Sequence, residues 1–142
     1  MEEKIMTTQP WTPADILQLS GGYWSACALH AAVKLDIFTP LATRAHTAAE
    51  LSASLHCDAR GTAMLLDSIA ALKLITKTGE SYLNTPFANE YLSKTSQKYL
   101  GHIIQHHHHL MASWAHLDEA VKGGEPIRTK VSHADEEVTR ES

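Results

Sequence analysis

Four consecutive histidines, His106 to His109, with His102 one helical turn ahead of them, are the densest concentration of chemically versatile side chains in the sequence. The run lies between Ile104 and Leu110, inside a helical pattern rather than at a terminus, so it reads as part of the fold and not as an appended tag. On a helix His102, His106 and His109 share one face, and i, i+4 imidazoles can chelate a transition metal. A metal centre also needs a third ligand and, usually, carboxylates that orient the rings, yet no acidic residue lies between Lys98 and His116. No metal site is expected. The favoured reading is rings that partly meet solvent and partly line an interface or cavity, where neutral imidazole offers one donor and one acceptor.

The other reactive types form no catalytic set. Cys57 and His56 are sequence neighbours and diverge on a helix, so they make no dyad. Asp118-Glu119 reads as a solvated helix surface, and Gly21-Gly22 and Gly123-Gly124 lack the GxGxxG spacing of a phosphate-binding turn. No catalytic and no cofactor-binding residue is assigned. Two cysteines, Cys27 and Cys57, without CxxC spacing argue against a disulfide framework or zinc knuckle. The formal charge of −4 gives no general attraction to phosphate backbones, and no apolar run approaches the length of a membrane span. The acidic start Met1-Glu2-Glu3 is unlike a signal peptide, so a cytoplasmic protein is expected, with neither nucleic acid nor membrane as partner.

The elements that must position these residues centre on Thr47 to Pro86, which reads as a winged helix-turn-helix. Thr47 and Glu50 form a capping box that opens a helix with Leu51 and Leu55 on its apolar face. Asp58 caps a second helix whose buried side is expected to be Met64, Leu65, Ile69 and Leu72. A two-stranded hairpin follows, Leu74 to Lys77 and Ser81 to Asn84, turning at Gly79. In a DNA-binding regulator the second helix would read bases. Here Arg60 and Lys73 stand only at its ends, and its middle offers Asp67 and Ser68, so a transcription regulator is the secondary reading.

Before this unit, Thr12-Pro13 starts a helix that pauses at Gly21-Gly22. A second helix then runs from Tyr23 to Leu35, with Trp24, Cys27, Ala28, Ala31 and Leu35 as its expected buried face, and ends ahead of Pro40. After it, Thr85-Pro86 starts a short helix, and one long helix is expected from Lys98 to Lys122, stopped by Gly123-Gly124. The fold class is mainly α: a winged-helix core with a small β-hairpin, flanked by long helices. The division is a flexible leader at 1–11, a domain at 12–124 and a polar linker at 125–142. Two long apolar helices exceed what one small domain can cover, which calls for a partner, most simply a second copy of the chain.

Gly22-Tyr23-Trp24 with Leu29 to Phe38 resembles the opening helix of the S-adenosylmethionine-dependent O-methyltransferases of the caffeate and acetylserotonin type. Thr47 to Leu51, Leu65 to Ile75, Asn84 to Ala88 with Tyr91-Leu92, Tyr99 to His102 and Ser113 to Val121 are similar to successive segments of the same family. The resemblance runs from about Trp11 to Arg128. It implies an N-terminal dimerisation and substrate-lid module that interlocks with its twin and helps wall the cavity for a hydroxyl acceptor. The methyl donor, S-adenosylmethionine, and the catalytic base would belong to a Rossmann-like domain that is expected to be absent from these 142 residues. On that basis Tyr23, Trp24, Ala28, His102, His106, His109 and Trp114 are the candidate dimer-interface or cavity-wall residues.

Overall fold

The computed structural model describes residues 9–127, so residues 1–8 of the expected leader and 128–142 of the expected linker lie outside the described residues. Helix α1 (Pro13–Ser20) is opened by a capping box between Thr12 and Asp15, with Pro13 at its first position. The chain turns at Gly21-Gly22 and continues as α2 (Tyr23–Leu35), which ends in Asp36 at φ 59°. Pro40 does not terminate helical structure as the sequence suggested. It sits in the first turn of an additional helix, α3 (Phe38–Thr43), where a missing N–H costs no intrahelical bond.

The central unit is the expected winged helix with one more strand. After β1 (His46–Thr47) comes α4 (Ala48–Leu55), capped by the reciprocal Thr47 and Glu50 bonds at 3.1 and 3.3 Å. Helix α5 (Ala59–Ala71) follows, with the Asp58 carboxylate accepting from the Gly61 N–H at 2.8 Å. Strands β2 (Ile75–Thr78) and β3 (Ser81–Asn84) form the hairpin, and Gly79 takes φ 61° at its tip. The sheet has three strands, not two: β1 pairs antiparallel with β3 through His46–Tyr82 and Thr47–Ser81, giving the order β1-β3-β2. Two residues carry no alternation by which a sequence could reveal β1.

Helix α6 (Pro86–Tyr91) starts at the Thr85 cap as expected. The expected single helix from Lys98 to Lys122 is two, α7 (Gly101–Trp114) and α8 (Leu117–Gly123). Neither proline nor glycine marks the joint. The chain tightens there through a His116 N–H to Ser113 carbonyl bond, and the His116 ring meets the Glu119 carboxylate at 2.6 Å across the first turn of α8. Gly124 in the left-handed region ends α8.

Ile37, Phe38, Leu41, Leu51, Leu66, Ile69, Val33 and Ala32 form the centre of the core, each large aliphatic or aromatic side chain contributing about 1.5–3 kcal/mol by leaving water. One expected face is rotated. On α5 the buried residues are Thr62, Leu66 and Ile69, while Met64 and Leu72 are exposed. On α2 the chain's own core takes His30, Ala32 and Val33, and Trp24 and Leu35 face outward.

Candidate functional site

Helix α1 has no buried residue, although it carries Ile16, Leu17 and Leu19. Helix α8 buries none either, with Leu117 and Val121 exposed. Between them, α2 and α7 pack against each other and leave their outer faces open. Trp24 is 67% exposed and Trp114 66%, with Tyr23, Ile103 and Leu110 exposed as well. A monomeric protein seldom leaves so much large apolar surface in water, which makes this exposed face the candidate site.

The predicted site residues divide on this frame. Tyr23 and Trp24 lie together on the exposed apolar face, their rings 5.8 Å apart and edge to face. Trp114 stands at the C-terminus of α7, also exposed, and Ala28 is half-buried against the core. Of the three histidines predicted to share a face, His102 and His106 are exposed and His109 is half-buried, its ring 5.8 Å from that of His108. His102 packs edge to face against Tyr99 at 5.3 Å. Among the described residues no group of three or more His, Cys, Asp or Glu side chains could hold a metal ion.

Two residues that the sequence reading missed occupy the α2–α7 contact. His30 is 7% exposed, and its ring lies 5.5 Å from that of His108 in an edge-to-face arrangement. The Nδ1 atoms of both rings are buried with no hydrogen-bond partner. Burial holds the His30 imidazole below the ordinary histidine range, and the positive charge that His108 and His107 acquire on protonation adds to the effect. The available signal was spacing: Gly101, Ile104, His108 and Met111 recur at three and four residues, so His108 belongs to the inward face of α7.

The winged unit has its own polar tie. The Asp67 carboxylate on α5 accepts from the Tyr82 hydroxyl at 2.5 Å and from the Lys77 ammonium at 3.0 Å, both in the hairpin. These bonds hold its carboxyl below the usual carboxylate range. The wing's lysine is thus engaged by an acid in the middle of the helix that a DNA-binding regulator would present to bases.

The sequence matches the family described as the O-methyltransferase dimerisation domain over residues 17–94. The chain belongs to this family. It is 35% identical over 139 residues to the N,N-dimethyltransferase OxyT of Streptomyces rimosus, covering 92% of this chain and 40% of that protein. It is 36% identical over 115 residues to the tetracenomycin polyketide synthesis 8-O-methyl transferase TcmO of Streptomyces glaucescens, covering 80% and 34%. An O-methyltransferase family protein from Burkholderia thailandensis superimposes with a TM-score of 0.73 at 34% identity, over 80% of this chain and 34% of that one. Human N-acetylserotonin methyltransferase in complex with SAM gives 0.72 at 26% identity, over 83% and 36%. The 142 residues therefore span about two fifths or less of these relatives. The chain is thus a dimerisation domain of the O-methyltransferases, a description that implies self-association.

Proposed function

We propose that these residues form a homodimer through α1, α2, α7 and α8 and serve as the dimerisation and lid module of an S-adenosylmethionine-dependent methyltransferase acting on a hydroxyl group. The observation that carries the reading is the pair of flanking helices, α1 and α8, that bury nothing within one chain while presenting Leu17 and Val121 to solvent. Tyr23, Trp24, Ala28, His102, His106, His109 and Trp114 are proposed to contribute to the interface or to the wall of an acceptor cavity completed by the partner. Among the described residues no glycine-rich turn leads from a strand into a helix, so no residue here is assigned to the methyl donor. An amine acceptor is a second reading, favoured by the similarity to an N,N-dimethyltransferase over 92% of the chain.

Nucleic acid is not among the proposed partners, because Asp67 places negative charge at the centre of the exposed α5 surface and occupies Lys77. No helix among the described residues is long and apolar enough to cross a membrane. The deciding experiment is sedimentation equilibrium on the chain. A dimer at micromolar concentration is the expected result, and a strictly monomeric species across that range would refute the assembly.

A further inference from the structure

We propose that the His30–His108 ring contact is a pH-sensitive latch between α2 and α7, closed while the buried His30 imidazole is neutral and released as it takes up a proton. The buried His30 ring leaves little room for a charge to be solvated. The His30 ring is enclosed by α2 and its neighbours, lies edge to face with His108, and has a buried Nδ1 without a partner, as does His108. A neutral imidazole tolerates one unbonded nitrogen at moderate cost, whereas an imidazolium has two N–H donors and a full charge to satisfy.

Among the described residues, the groups that act on the His30 ring include no carboxylate. The charged groups that act on His30 from α7 are His108 and His107, and both oppose its protonation. Helix α5, also packed on α2, contributes only Arg60 and Asp67 as charged residues, and Asp67 is bonded to Lys77 and Tyr82. On its own helix His108 has His109 beside it at 5.8 Å. Protonation of His30 therefore puts a charge into a buried contact that faces other imidazoles.

The sign follows from linkage. His30 binds protons less readily in the closed state than in the open chain, so closure is fully favoured above the ordinary histidine pKa and weakens as pH falls below it. Ile103, Leu110 and Trp114 lie on α7, so release of the latch would also disturb the dimer face; that consequence rests on the proposed homodimer, while the latch itself lies within one chain.

Histidine-ring NMR titration combined with amide hydrogen exchange on the whole chain tests it. The His30 signal is expected to titrate below the ordinary histidine range. Exchange of α7 amides from Ile104 to Met111, corrected for intrinsic rates, is expected to accelerate between about pH 7.5 and about pH 5.5, a window bracketing the ordinary histidine pKa, while histidine-free α4 retains its protection. His108→Gln should remove most of that difference, and His30→Gln serves if the first variant does not fold. His30 titrating within the ordinary histidine range, parallel changes in α7 and α4, or an unchanged pH response in a folded variant would each overturn the latch. Measuring exchange at concentrations above and below dimer formation separates the two proposals, because the latch persists in a monomer.

Discussion

Asn84 shows how one side chain joins distant parts of the fold. Its buried amide donates to the Phe38 carbonyl at 2.7 Å across 46 positions of sequence, tying β3 to α3 beneath the core. Asn84→Ala would leave that carbonyl without its donor, and a loss of about 1–3 kcal/mol is expected in urea unfolding. Thr47→Ala removes a capping bond that satisfies one N–H at the start of α4 and should cost less, about 0.5–2 kcal/mol in the same measurement. Equal effects would mean that the Asn84 site admits water. The two residues also separate what sequence reveals from what it conceals. Thr47 and Glu50 are three positions apart, so their partnership is written locally. The partners of Asn84, like those of His30, are chosen only when helices and strands pack, and no local spacing announces them.

Among the elements, helix starts were legible wherever a threonine or aspartate cap stood ahead of an apolar period, as at Thr12, Thr47, Asp58 and Thr85. The joint at Ala115-His116 was not, because the apolar positions continue across it and the break is made by hydrogen bonds between ordinary helix-forming residues. The face assignment on α5 failed for a related reason: the helix is apolar around much of its circumference, so periodicity alone did not choose between an inner and an outer side. The clasp between α5 and the wing yields a pH prediction. The folded state lowers the Asp67 carboxyl through the Tyr82 hydroxyl and Lys77. Its contribution is therefore present above the ordinary carboxylate pKa and disappears as pH falls through and below it. Asp67→Asn should speed amide exchange in β2 and β3 at neutral pH, with the difference from the unsubstituted chain vanishing below about pH 4, near the model-peptide value. A gap that persisted undiminished in acid would assign the effect to packing rather than charge.

At the scale of the molecule the question is what covers the outer faces of α1, α2, α7 and α8. A partner that supplies the same helices in return makes an isologous interface, in which each exposed tryptophan meets the twin's apolar surface. Specific interfaces bury about 1,200–2,000 Å² in total, and obligate ones more, which several half-exposed helices on each side can provide. Because no residue here is assigned to the methyl donor, calorimetric titration of the chain with S-adenosylmethionine should be flat, and saturable heat at micromolar ligand would show a site outside the elements described. The interface itself is best tested through Trp114, which is large, exposed in one chain and set at the end of α7 next to the joint with α8. If the partner buries it, Trp114→Ala should weaken the dimer by about 2–4 kcal/mol, as truncation of a buried aromatic anchor does. Folding within each chain should change little, since the ring touches solvent rather than the core. Sedimentation and circular dichroism on the same samples distinguish the cases. A weakened dimer with an intact helical spectrum places Trp114 in the interface, whereas unchanged association would exclude the C-terminal end of α7 from it and confine the contact to the surface around Trp24.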